Sequence, residues 1–327
     1  MKGDLSMKPN KMCLPLDTNP IYQTWQYLLF PCGIITGNNP CGNEWIISNW
    51  IDLWGSENGI SIITKGESFF DKGPLIHNLS HYIRYNELVE TPDKVFDMLC
   101  TLISEGYYLE GAFDESEIPA SASYKKGYDG HFYNIYGYDY DNKQLHAIGY
   151  TKREKLEPFT IDYEHFCNAV RGNQSDDNYL KLIKYNDKFE FKYDFENVCL
   201  LMKDFLNSRT RKVPYDGDDS YYGLEAQAKY VAFLERTARG RAHLDMRFCR
   251  LLMEYKSVIH TNVKRHPDYE KVKELPYYAE TYDAFNQQHY LGLMYVFMRD
   301  RSVITRMIES LKTAFENEEK ILRMLFE

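Results

Sequence analysis

Two residues of this 327-residue chain combine a reactive side chain with a setting that suits nucleophilic chemistry, Cys41 and His131. Cys41 follows Pro40, precedes Gly42, and stands directly before the apolar run 43–54, which reads as a helix closed by Gly55. A thiol at a helix N-terminus faces unpaired N–H groups and the positive end of the dipole, so thiolate is favoured. The same N–H groups can hold an oxyanion. His131 follows Gly130 and opens an aromatic strand through Tyr138, a position from which an imidazole can act as general base. Cys32, with Gly33 behind it and Gln26 six residues before it, is the alternative nucleophile. Gly37 and Pro40 in the run 34–40 argue against a continuing helix there. Asp114 is the expected carboxylate beside His131, provided that a strand over 107–113 lies antiparallel to 131–138. Asp129 is the next choice. Asp139 would stand about 26 Å along the strand, too far to serve. Trp45 and Asp129 are the candidates for substrate contact.

These residues need elements to position them. Apolar spacing predicts a helix over 43–54, a helix from Pro92 to about Ser104, strands over 107–113, 131–138 and 144–150, a third strand near 158–161, and a helix over 163–170. The loop 114–130 is long enough to suggest a functional role. Beyond residue 175 the pattern turns helical: 195–207, a long helix over 224–263 broken near Gly240, then 282–298 and 302–326. The expected organisation is an α+β domain over 1–180 followed by an all-helical domain over 181–327 that covers or extends a cleft.

A net charge of −9 argues against nucleic acid as the main partner. The absence of about 18 consecutive apolar residues argues against a membrane-spanning helix. A polar N-terminus and seven scattered cysteines without a C-x-x-C pair point to reduced thiols and a cytoplasmic setting, with no metal site. His77 and His81 stand four apart but lack the Glu that a zincin helix requires. The window 236–250 carries a local +4 from five arginines against Asp245, a patch able to meet an acidic partner.

The segment Pro40-Cys41-Gly42 and, more closely, Asp129-Gly130-His131 through Tyr136-Gly137-Tyr138-Asp139 resemble the nucleophile and histidine segments of C39-type, papain-like peptidases. The run Asp114, Ile118-Pro119, Tyr124, His131, Tyr136-Gly137-Tyr138-Asp139 resembles the peptidase-like acyltransferases of natural-product clusters, typified by the N-terminal domain of the butirosin acyltransferase. The likeness covers roughly residues 25–170. It implies a papain-like fold and a cysteine acyltransferase that forms amides in antibiotic or polythioamide assembly through an acyl-enzyme on Cys41. The implied partners are an acyl or peptidyl carrier protein and a small amine. No cofactor is implied beyond the carrier's phosphopantetheine arm. A C39-type endopeptidase, or a non-catalytic binding protein on the same fold, is the alternative. The family's orienting Asp falls near Gly149-Tyr150, where this chain has no carboxylate.

Overall fold

A computed structural model describes residues 9–62, 73–77, 83–85, 92–153, 155–175, 178–211 and 220–327. In chain order the strands used below are β1 (Lys11–Cys13), β2 (Leu53–Ser56), β3 (Gly59–Ile62), β4 (Leu75–His77), β5 (Ile83–Arg84), β6 (Tyr107–Asp114), β7 (Gly130–Asp139), β8 (Gln144–Tyr150), β9 (Leu156–Asp162), β10 (Tyr179–Tyr185) and β11 (Tyr221–Tyr222). The helices are α1 (Gln26–Asn38), α2 (Gly42–Asn49), α3 (Pro92–Ser104), α4 (Tyr163–Gly172), α5 (Phe195–Leu206), α6 (Gly223–Ala238), α7 (Met246–Arg265), α8 (Glu270–Lys273), α9 (Tyr278–Met298) and α10 (Arg301–Phe326).

The chain divides into two compact units. The first comprises Met1–Pro20, Gln26–Pro40 and Phe69–Phe189; the second comprises Ile21–Trp25, Cys41–Ser68 and Glu190–Glu327. The division is therefore discontinuous, where the sequence suggested a single cut near residue 180.

The first unit is built on an antiparallel sheet in the order β4-β10-β6-β7-β8-β9, with β1 added to β7 and β5 to β10. The hairpin β7–β8 and the strand β9 follow the sequence expectation, whereas β10, central to the sheet, falls where a change to helix was expected. Helix α1 corrects a second expectation. It runs through Pro31, Gly33 and Gly37, and all nine residues from Leu28 to Thr36 are buried. A helix enclosed on every side needs no polar face. Its glycines serve close approach. A Cβ at Gly33 would lie 2.5 Å from the Asp17 carbonyl oxygen, and one at Gly37 2.6 Å from the Asp17 nitrogen. Asp17 N–H donates to the Gly33 carbonyl at 2.9 Å and Thr36 Oγ1 to Asp17 at 2.8 Å.

In the second unit the helix expected over 43–54 stops at Asn49. Ser48 and Asn49 side chains bond back to the Trp45 carbonyl at 3.1 and 2.9 Å, and the wholly buried Trp50 closes the turn. Leu53–Ser56 instead pairs with Gly59–Ile62, and β11 adds to β2. Gly55 thus lies in a strand, against Ala226 of α6. The long helix expected over 224–263 breaks into α6 and α7 around Gly240, whose φ of +73° suits glycine. Inside this bundle Lys256 and Glu318 form an ion pair, both side chains 1% exposed. His77 lies on a strand rather than a helix; His81 is outside the described residues.

Candidate active site

β6 and β7 pair with Phe113 opposite His131 and Asp114 opposite Gly130. Residues directly opposite share a face of the sheet, and faces alternate along each strand. Two residues beyond Phe113 and two before His131, the ladder continues: Glu115 N–H donates to the Asp129 carbonyl at 2.8 Å. Glu115 and Asp129 therefore fall on the face of His131, and Asp114 on the other. The side chains obey this rule. His131 Nδ1 lies 3.3 Å from Asp129 Oδ1 and 3.5 Å from Glu115 Oε2.

Asp114 is thus a turn former, not the orienting carboxylate. Its Oδ1 accepts from Ser116 N–H at 2.9 Å and Asp129 N–H at 3.3 Å, capping the 3₁₀ turn Glu115–Glu117. Its other oxygen lies against Gly172, where a Cβ would sit 2.5 Å away.

The loop 118–129 folds down to brace both carboxylates. Buried Ser121 donates to Glu115 Oε2 at 2.8 Å, and Ser123 to Asp129 Oδ2 at 2.5 Å. Tyr133, two residues after His131 on the same face, donates to Glu115 Oε1 at 2.6 Å. Burial, then the Glu115 charge, pushes the Tyr133 hydroxyl well above its usual pKa, so it remains a donor. A Cβ at Gly149 would overlap the Tyr133 ring. The position near which the resemblance places a carboxylate is here the seat of the tyrosine that holds one. The Tyr150 ring meets His131 edge-on at 6.4 Å.

Glu115 is 5% exposed, whereas the side chains of Asp129 and His131 are 40% and 38% exposed. The centre is anchored in the interior and open on one side. Carboxylate and imidazole atoms of Glu115, Asp129 and His131 all lie within 4.8 Å of one another, an arrangement able to hold a metal ion. The two N···O separations exceed ordinary hydrogen-bond lengths. They match the ~3.4 Å between neighbouring ligands of a tetrahedral ion bound at about 2.1 Å. This qualifies the expectation of a chain without a metal site. Glu115 escaped the sequence reading, although the register that placed Asp129 with His131 also implicates it.

Cys41 is the N-cap of α2, exposed, with φ −70° and ψ −7°, and it belongs to the second unit, whereas His131 belongs to the first. Cys32 lies midway along α1 and is wholly buried. Gln26 opens α1, and its Nε2 donates to the Phe132 carbonyl at 2.8 Å, securing the strand beside His131. Trp45 is 9% exposed, a core residue of the second unit. The arginine patch is largely engaged: Arg236 with Glu57, Arg239 with Glu235, Arg247 with Asp245, Arg250 with Glu254. No helix among the described residues is long and apolar enough to cross a membrane.

No protein-family model matches the chain. Over 150 residues it is 29% identical to the hydroxyacylglutathione hydrolase of Pelagibacter ubique (strain HTCC1062), a stretch that covers 42% of this chain and 61% of that protein. The chain thus spans about three fifths of the length of the relative it matches. That relative is a hydrolase, and the likeness overturns the expectation of an amide-forming cysteine acyltransferase in antibiotic assembly, together with its peptidase and binding-protein alternatives. The sealed thiol of Cys32 agrees with the correction.

Proposed function

We propose that the first unit hydrolyses an acyl ester or thioester at a centre where Glu115, Asp129 and His131 hold a divalent metal ion. The observation that carries this reading is the trio itself, with N···O separations of 3.3 and 3.5 Å and one hydroxyl donor on each of three carboxylate oxygens. Similarity to a hydroxyacylglutathione hydrolase supports the reaction class. One nitrogen and two carboxylates form the donor set of zinc-like and other first-row ions. Such an ion, when bound, lowers the pKa of water and polarises an acyl carbonyl.

The chain's own groups do the rest. Tyr133 and Ser121 fix both Glu115 oxygens, and Ser123 fixes Asp129, leaving Oδ1 toward the imidazole. Outer hydrogen bonds of this kind set ligand orientation and basicity. As the oxygen of a water bonds to the acyl carbon, the bond from that carbon to the thiolate or alkoxide breaks, and the proton of the water leaves with that group.

The test is hydrolysis of a hydroxyacyl thioester and of a 4-nitrophenyl ester by the full chain. His131→Gln and Asp129→Asn are expected to lose at least a hundredfold, chelation likewise, and Cys41→Ala less than twofold. Loss in Cys41→Ala with full activity in His131→Gln would overturn the reading.

A further inference from the structure

The loop that braces the carboxylates also carries cations. Lys125 Nζ lies 5.0 Å and Lys152 Nζ 5.6 Å from the centroid of the Tyr124 ring. Both lysines are exposed, and among the described residues neither pairs with a carboxylate, nor does neighbouring Lys126. In a chain of net charge −9, two cations gathered on one ring repel each other and present a local site for an anion.

Their backbones are tied to the site. Lys125 N–H donates to the Ser116 carbonyl at 2.9 Å, one residue from Glu115, and Lys126 N–H to the Ser123 carbonyl at 2.9 Å. Lys152 N–H donates to the Ala120 carbonyl at 2.8 Å, one residue from Ser121. Lys152 also follows Tyr150, whose ring meets His131, by two residues. Lys125 is held at φ +60°, a left-handed conformation that a non-glycine residue rarely adopts. The fold therefore fixes this lysine where local preference would not put it. The backbones of both lysines are thus anchored to the loop that braces the carboxylate–imidazole centre.

We propose that Tyr124, Lys125 and Lys152 form the subsite for a carboxylate on the acyl substrate, so that the substrate class is an anionic acyl ester or thioester. The proposal rests on the hydrolase reading for the identity of the reacting bond, but not for the binding of the anion. The two lysines supply the positive charge that the carboxylate of such a substrate would meet. Lysine supplies this as a point charge on a flexible stem.

Two readouts test it on the full chain. Saturation-transfer NMR with succinamic acid, which is not an ester, is compared with propionamide at equal concentration. The acid alone is expected to bind, and Lys125→Met/Lys152→Met to weaken it at least tenfold. Equal signals from acid and amide, or unchanged binding in the variant, would overturn the subsite. In parallel, 4-nitrophenyl hemisuccinate and 4-nitrophenyl propionate are hydrolysed. The double variant is expected to raise KM at least tenfold for the hemisuccinate only, with kcat within twofold. An equal change for both esters would refute the proposal. If neither ester turns over, the hydrolase reading fails, and the NMR result alone decides the anion site.

Discussion

Replacing Tyr133 by Phe removes one oxygen from the interior of the first unit and nothing else. The ring keeps its stack on Phe113 at 6.0 Å and its edge contact with Phe159 at 5.3 Å, so no cavity opens. What is lost is the 2.6 Å bond to Glu115 Oε1, on a carboxylate only 5% exposed. Hydrogen bonds to charged groups contribute about 1.5–3 kcal/mol. Ser121 continues to serve Oε2, so the middle of that range, about 2 kcal/mol, is the expected loss, a factor of about 30 in the folding equilibrium of this unit. Because the same bond orients Glu115, affinity for a bound divalent ion should fall about tenfold to a hundredfold. Urea unfolding followed by circular dichroism, in parallel with a metal titration, reads both quantities. A change below about 0.5 kcal/mol together with unchanged metal affinity would show that Tyr133 does not hold the carboxylate, and the account of the site would fall with it.

Gly149→Ala drives a methyl into the Tyr133 ring and should disturb the same centre more severely, lowering thermal stability and activity together; an active variant with unchanged melting temperature would refute this. In the second unit, Lys256→Met leaves Glu318 buried without its cation and should cost about 3–5 kcal/mol in urea unfolding, whereas Lys256→Met/Glu318→Leu should recover most of it. His260, stacked on Tyr282 at 3.8 Å, is held by burial at a pKa of about 4, with Lys264 adding to the effect. The folded state therefore binds fewer protons than the unfolded chain. Its contribution is complete above the unfolded value of about 6.5 and lost as pH falls toward 4. His260→Phe should flatten the stability profile over that window by about one proton, and an unchanged slope would contradict the assignment.

Much of the first unit's sheet was legible because its strands alternate and its turns carry strong formers. Phe132 through Tyr138 and Gln144 through Tyr150 announce a hairpin. β10 escaped notice because Lys181 and Lys184 interrupt its apolar residues and because it follows a turn-rich stretch that looked like a boundary. Helix α1 and the end of α2 were misread for one shared reason. Gly37 was taken as a break and Gly55 as a stop, yet each marks a close approach of another chain segment, which only tertiary structure reveals. At the site, His131 and Asp129 were readable. The choice of Asp114 ignored the alternation of faces: a residue opposite Gly130 cannot share the face of His131. Cys41 was correctly placed at a helix start, because Pro40 and Gly42 mark that start in the sequence itself.

The central claim is that Glu115, Asp129 and His131 act as one ligand set. The most direct measurement is a cobalt(II) titration of the metal-stripped full chain, read by the visible absorption of the bound ion and by mass spectrometry. One equivalent should bind, zinc should displace it, and Asp129→Asn and His131→Gln should each abolish the signal while Cys41→Ala leaves it intact. Binding that survives both site variants, or no binding at all, would contradict the account.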